Sequence, residues 1–338
     1  MLWPVVIAAV IASFAAWAAT GLALRLLRQR QIMDHPNARS SHAVPTPRGG
    51  GIAVIVVLAL GWLAAGTLEP EGLARTWPVL LLGLALATLS FADDLRGLPV
   101  AVRFGAQAVA VIVAVSLLPA ERPVFQGLLP PLADRLAAGL LWLWFINLFN
   151  FMDGIDGITA VETFTIGAGV AIAALLLALP PDLALIGATA AGTAVGFAVW
   201  NWQPARIFLG DVGSVGLGFL LGWLLLELAG RGAWLPALIL PLYYLADATL
   251  TLLRRLLQGE TPWHAHRSHF YQWAARGLSS HARVAGLILG LNLGLIGLAV
   301  WSARAPAAGG LALTAAVAAT LLLLWYFRSL RRKASDVG

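Results

Sequence analysis

The chain contains no cysteine, which excludes disulfides, thiolate metal sites and a cysteine nucleophile, so any zinc would have to rest on histidine and carboxylate. Charge is scarce as well. Asp, Glu, Lys and Arg make up 11% of the 338 residues, against roughly 25% in an average soluble domain, so water is a poor fit as the main solvent. Long polar linkers, low-complexity tracts and repeats are missing too, which leaves a single integral membrane domain over residues 1–338 as the simplest organisation.

What is abundant is apolar. Sixty per cent of the chain is hydrophobic, in runs about as long as the ~20 residues that one helical crossing of a ~30 Å hydrocarbon core needs. The first run, residues 2–24, has no basic region before it and exceeds the ~7–15 residues of a signal-peptide core, so it is read as a span. Arg25, Arg28 and Arg30 follow it, which sets the N-terminus outside and the next loop in the cytoplasm. Further runs near 50–68, 77–92, 103–119, 136–152, 158–178, 183–202, 213–229, 234–252, 283–303 and 310–327 predict an all-α integral membrane protein of about eleven transmembrane helices with a cytoplasmic C-terminus. Loop charge tests this alternation independently. Of the 22 Arg and Lys residues only Arg75, Arg122, Arg135, Arg231 and Arg304 fall outside, as the positive-inside rule requires. The net charge of +6 is thereby spread over membrane-flanking loops, which argues against nucleic acid as a partner.

The same alternation gathers the polar chemistry on the cytoplasmic side. All six histidines (His35, His42, His264, His266, His269 and His281) fall there with Asp34, Asp93, Asp94, Asp153, Asp156 and Asp211. The first loop reads DHPNARSSHAVPTPRGGGIAV; its prolines forbid a continuous helix, and Gly49, Gly50 and Gly51 let the backbone approach a ligand closely, although a solvated turn has the same composition. FADDLRGLPVAVR places Asp93 and Asp94 at the inner end of the third span, where negative charge opposes the helix macrodipole. Two adjacent carboxylates call for a cation, a metal or a shared proton, unless both are simply solvated.

NLFNFMDGIDGITAVE, residues 147–162, carries Asn147, Asn150, Asp153 and Asp156 at steps of three. Each step turns a helix by ~300°, so the first three lie within ~120° of arc. Gly154 and Gly157 then let the chain leave the helix. Polar groups at the end of an apolar run are costly in lipid unless they face protein or water, and the spacing is not that of a calcium loop. In ARIFLGDVGS glycines flank Asp211, and Ser214 begins the next helix, whose N-terminal amides favour phosphate; without a following lysine it is no Walker motif. In TPWHAHRSHFYQ the spacing of His264, His266 and His269 suits zinc, but Arg267 among them favours an anion, since a guanidinium beside a metal is unfavourable.

DHPNARSSHAVPTPRGGG, FADD, NLFNFMDGIDG, IFLGDVGS and HAHRSHFYQ, in that order over residues 34–272, together resemble the polyprenyl-phosphate N-acetylhexosamine-1-phosphate transferase superfamily, glycosyltransferase family 4. The HRSH and PTPRGGG forms look most like the bacterial O-antigen-initiating branch and depart from the triple histidine of the muramoyl-pentapeptide enzymes. The resemblance implies transfer of a sugar-1-phosphate from a UDP-N-acetylhexosamine to undecaprenyl phosphate with release of UMP, on the cytoplasmic face of a bacterial inner membrane. It implies Mg2+, with Mn2+ as a substitute, held by Asp211 and Asp156. Asp93 and Asp94 match the catalytic pair. Arg48, Asn147, Asn150, Asp153, Asp156 and the aromatic Phe208 match substrate-binding positions, as do His266, Arg267 and His269. Besides the two substrates, membrane lipid is a partner; a homodimer is left open.

Physical chemistry agrees, because two phosphate-bearing substrates repel, and a divalent cation with cationic side chains offsets that repulsion and the charge on the leaving group. An isoprenoid acceptor explains the membrane. The rival reading is a transporter, which needs ionisable groups on broken helices near the midplane; Glu162 and Asp247 are the only candidates.

Overall fold

The computed structural model describes residues 1–36, 44–68, 72–261 and 267–335, with side chains as far as residue 331. Thirteen α-helices appear among the described residues: α1 (Leu2–Gln29), α2 (Gly51–Gly66), α3 (Gly72–Arg96), α4 (Val100–Ser116), α5 (Pro131–Met152), α6 (Ile158–Leu176), α7 (Pro181–Asn201), α8 (Asp211–Gly230), α9 (Trp234–Ile239), α10 (Leu242–Leu257), α11 (Phe270–Leu278), α12 (His281–Arg304) and α13 (Gly309–Ser335). The strands β1 (Met33–Asp34) and β2 (Thr46–Pro47) pair antiparallel and tie the first loop to the end of α1.

Among the described residues eight helical segments are long and apolar enough to cross a membrane, which makes this an all-α integral membrane protein: α1, α3, α5, α6, α7, α8, α12 and the stretch Pro306–Arg331 within which α13 begins. Helices α2 and α4 are equally apolar but have 16 and 17 residues, about 24–26 Å at 1.5 Å per residue, short of the ~30 Å core. The expected span at 234–252 is not one helix. It breaks after Ile239, and α10 starts on Pro241 as its N-cap, because a proline has no N–H to carry the helical ladder across that point.

Helix α8 is the axis of the bundle, buried along most of its length and packed against α2, α3, α5, α6 and α9, while α1 leans on α7 and α7 on α6. Large aromatics fill the centre. Trp142 stacks on Phe219 with ring centroids 4.7 Å apart and donates its indole N–H to the Phe219 carbonyl at 2.9 Å, as a buried indole requires. On the outside, Trp3, Phe14, Ile112 and Leu140 are exposed, a surface that only lipid solvates favourably. Glu162, buried on α6, is met by Asn292 of α12, whose amide donates to its carboxylate at 2.7 Å and to Thr165 at 3.1 Å.

The described residues of the polar blocks singled out from the sequence gather at one end of the bundle. The glycines of the first loop approach protein rather than ligand: the amides of Gly49 and Gly50 donate to the Phe208 carbonyl and that of Gly51 to Leu209. A Cβ on Gly51 would run into the backbone of Gly213, so only glycine lets the starts of α2 and α8 meet.

Candidate active site

That close approach puts Arg48 at the N-terminus of α8, and α3 brings its C-terminal aspartates to the same point. Arg48 Nη2 lies 2.8 Å from Asp94 Oδ1 and 2.6 Å from Asp211 Oδ1. Arg103, at the start of α4, pairs with Asp93 Oδ2 at 2.7 Å and stands 3.8 Å from Asp211 Oδ2. The five charges alternate in sign, Asp94–Arg48–Asp211–Arg103–Asp93. Helix ends explain part of this: Asp211 is in the first turn of α8, where a carboxylate is favoured, and Asp94 Oδ2 accepts the Val212 amide there at 3.4 Å. Burial opposes the Arg48 charge, but Asp211 and Asp94 outweigh it and hold its pKa above the ordinary value.

The two adjacent aspartates have different work. Asp93 accepts the Leu98 amide at 2.6 Å as well as Arg103, so it closes the α3–α4 turn, whereas Asp94 faces Arg48 and α8. Asp94 Oδ1 is buried and, despite its short distance to Arg48, receives no hydrogen bond. Two carboxylates therefore converge on one cationic position, one of them through an oxygen that is ion-paired without a hydrogen bond. That hard-oxygen set fits Mg2+, which takes one or two carboxylates and completes its shell with water and substrate phosphates. Among the described residues no group of three or more acidic or histidine side chains encloses a single point.

The α5 end supplies the next wall. Asn150 Oδ1 accepts from Ser214 of α8 at 2.5 Å. Asp153, the C-cap of α5, accepts from Thr159 at 2.6 Å, and Thr159 is 3.2 Å from the Tyr244 hydroxyl. Burial pushes the Asp153 carboxyl up to about 6, against the pull of the Thr159 hydrogen bond, with a further small rise from Asp211. Gly157 takes a left-handed φ of 80° as the N-cap of α6, the exit that its residue type predicted. Its amide donates to Asn201, which also holds the Ile207 carbonyl, fixing the aspartate turn to the segment before Asp211.

Asp156 lies on the far side of that turn. Its Oδ2 accepts the Ala205 amide at 3.0 Å, and its Oδ1 is 3.3 Å from His281 Nδ1. With Phe208, Arg267, Gln203, Arg276 and His281 it lines a cavity of about 490 Å³. The structure thus joins Asp211 to Asp94 and commits Asp156 to Ala205 and His281.

Two expected substrate contacts are placed otherwise. Asn147 spends its amide on Gln107 of α4 at 2.9 Å and the Leu143 carbonyl at 2.8 Å, a contact between helices. His269 is 2% exposed, with Nδ1 3.3 Å from Asp247; it caps α11 from below instead of facing the cavity. His266, with His264, lies outside the described residues. Residues the sequence reading passed over are Arg103, Thr159, Gln203 and Tyr271, while Ser214 and His281 enter it only as the start of a helix and as one of the cytoplasmic histidines. Arg103 carries the one detectable signal, a lone charge opening the apolar α4.

Tyr271 ties the parts together. Asp247, fully buried on α10, accepts the Tyr271 and Phe270 amides at 3.0 Å each, the Tyr243 hydroxyl at 3.0 Å and Thr251 at 3.3 Å. The Tyr271 hydroxyl donates to the Phe151 carbonyl at 3.1 Å. A Cβ on Gly154 would overlap that hydroxyl, so α11 is pressed against the turn that presents Asp153.

A helical membrane bundle with an acidic, arginine-paired site beside a polar cavity is the setting in which the sequence relationships fall. Residues 76–229 match glycosyl transferase family 4. The chain is 27% identical over 297 residues, 83% of its length and 80% of the relative's, to a probable undecaprenyl-phosphate N-acetylglucosaminyl 1-phosphate transferase of Bacillus subtilis. It is 28% identical over 309 residues, 80% of its length and 76% of the relative's, to a decaprenyl-phosphate N-acetylglucosaminephosphotransferase of Mycobacterium leprae. To a phospho-N-acetylmuramoyl-pentapeptide-transferase of Frankia casuarinae it is 30% identical over 260 residues, 63% of this chain and 73% of that one. The chain belongs to glycosyltransferase family 4, the polyprenyl-phosphate N-acetylhexosamine-1-phosphate transferase superfamily.

Proposed function

We propose that this protein transfers N-acetylhexosamine-1-phosphate from a UDP-sugar to undecaprenyl phosphate, giving undecaprenyl-diphospho-sugar and UMP, as the first membrane step of a surface polysaccharide. The observation that carries this reading is the convergence of Asp94 and Asp211 on one cationic point beside the cavity lined by Phe208, Asp156 and Arg267. Relatives that share most of the chain's length are named as transferases of this type.

In this reading a lipid phosphate oxygen attacks the sugar-bearing phosphorus of the donor, the bond to the UMP phosphate breaks, and UMP leaves with the electron pair. No general base is required, since a phosphate monoester with a second pKa of ~6 is largely ionised at neutral pH. Asp94 and Asp211 would hold Mg2+. When bound, the cation supplies charge neutralisation for the diphosphate and the departing UMP. Arg48, which bridges the same two carboxylates, would have to release them to the cation and would then turn its charge to the diphosphate, while Arg267 adds charge at the cavity. Phe208 offers an aromatic surface to the base, and Asn150, oriented by Ser214, a polar edge.

Within this proposal the site faces the cytoplasm of a bacterial inner membrane, the N-terminus lies outside, and α2, α4 and the broken α9–α10 pair complete about eleven crossings. The transporter reading gains nothing from Asp247, which is filled by the donors that cap α11, and Glu162 is tied to α12 by Asn292 through one oxygen. The test is UMP release by the purified protein from a panel of UDP-sugars with undecaprenyl phosphate. Turnover of at least one UDP-N-acetylhexosamine that stops with chelator is expected; no release from any of them overturns the proposal.

A further inference from the structure

A second concentration of charge lies where α10, α11 and α13 meet. The Arg254 guanidinium sits 4.3 Å from the centre of the Trp273 ring, and that of Arg331 sits 4.8 Å from the same ring. Arg254 also donates to the Ser268 carbonyl at 2.8 Å, which fixes it to the segment leading into α11. Arg276 donates to the Arg267 carbonyl at 2.9 Å. Burial, then the neighbouring charges of Arg267 and Arg331, hold its pKa below the ordinary arginine value. Arg328 is exposed one turn before Arg331. The acids nearby are already engaged: Asp247 by the donors described above, and Glu260 by Arg255 at 2.6 Å. Among the described residues no carboxylate pairs with Arg254, Arg328 or Arg331.

Position says which anion suits these arginines. The apolar stretch Pro306–Arg331 ends on these arginines. Leu322 and Trp325, just before them, are 65% exposed each, and Tyr326 is 38% exposed. Aromatic side chains followed by cations at the end of an apolar run mark the level of lipid headgroups, and an indole holding guanidiniums in place makes their N–H edges available for phosphate with little further ordering.

We propose that Arg254 and Arg331, stacked on Trp273, form with the neighbouring Arg328 a binding site for the phosphate of an anionic phospholipid in the leaflet that faces the candidate active site. A bound headgroup relieves the repulsion among the arginines and pins α13 to α10 and α11. Because α11 abuts the Asp153 turn, the lipid steadies that turn from behind. The site is independent of the transfer chemistry and stands whichever donor sugar is used.

The test is lipid binding by the purified full-length protein in detergent, titrated with phosphatidylglycerol or with phosphatidylcholine of the same acyl chains and read by native mass spectrometry. Phosphatidylglycerol is expected to bind more tightly. Arg328→Gln with Arg331→Gln weakens it about fivefold per cation removed, about thirty-fold for the pair, while Arg25→Gln with Arg28→Gln at the end of α1 leaves it unchanged. Both pairs are exposed, so neither disturbs the core. Equal affinity for the two lipids, undiminished binding by the α13 pair variant, or an equal loss in the α1 pair overturns the proposal. Competition by inorganic phosphate at matched concentration overturns its lipid identity, because a free anion would then serve as well.

Discussion

Arg48 Nη2 touches Asp94 and Asp211 at once, so loss of either carboxylate leaves a guanidinium half paired and removes half of the proposed metal set. Asp211→Asn is expected to lower UMP release by ~10²–10³-fold while the protein remains inserted; a variant within a few-fold of wild type would show that Asp211 does not hold the cation. Asp153 gives a different signature. Its carboxyl ionises near 6 and Thr159 holds it down, so Thr159→Val raises the pKa and moves the acid limb of the pH–rate profile toward higher pH. The acceptor phosphate also titrates near ~6, but it is unaffected by that substitution, and an unmoved limb would assign the titration to it. Residue types were legible in the sequence here, while their facing was not. Asp93 and Asp94 are ~100° apart on a helix, and nothing local says that the first turns to Arg103 and the second to Arg48. Asn147 and Asn150 share a face, yet Gln107 captures one and Ser214 the other. His269 meets Asp247 from a different helix, a partner that no local spacing reveals.

Among the elements, α11 acts as a brace between α10 and the end of α5. Tyr271 is held by its amide at Asp247 and by its hydroxyl at Phe151. Gly154→Ala places a methyl where that hydroxyl lies, and overpacking of this kind costs about 1–3 kcal/mol. Tyr271→Phe alone removes one hydrogen bond, worth about 1 kcal/mol. The double variant is expected to melt higher than the sum of the two predicts, since the phenylalanine clears the space that the alanine needs; strict additivity of the two shifts in Tm would mean that the residues do not press on one another. Most helices could be read from apolar run lengths, to within a few residues. The region 234–252 could not, because membrane helices tolerate proline when neighbours satisfy the freed groups, and whether Pro241 kinks or ends a helix depends on packing that a single run does not reveal.

For the molecule as a whole, the loops carrying Arg48, Asp94, Asp153 and Asp211 must open on the same side of the membrane. A chain without cysteine allows this to be mapped directly. Single cysteines at the exposed positions Gly97 and Gly259 are expected to react with an impermeant thiol reagent only in inside-out vesicles, and cysteines at Leu128 and Gly232 only in right-side-out ones. Reaction of Gly97 and Gly259 cysteines from opposite sides would dismantle the shared site. The alternation of arginines predicts this arrangement from the sequence. The cavity beside Asp156 was not legible there, since Gln203 follows α7, Arg276 lies on α11 and His281 opens α12, each outside any recognisable motif.

The most direct test of the whole account is UMP release from a UDP-N-acetylhexosamine and undecaprenyl phosphate by the purified protein, with and without magnesium, for wild type and Asp94→Asn. Magnesium-dependent release in wild type and its loss in the variant are predicted. Release that persists without any divalent cation, or that Asp94→Asn leaves intact, would contradict a cation held between Asp94 and Asp211.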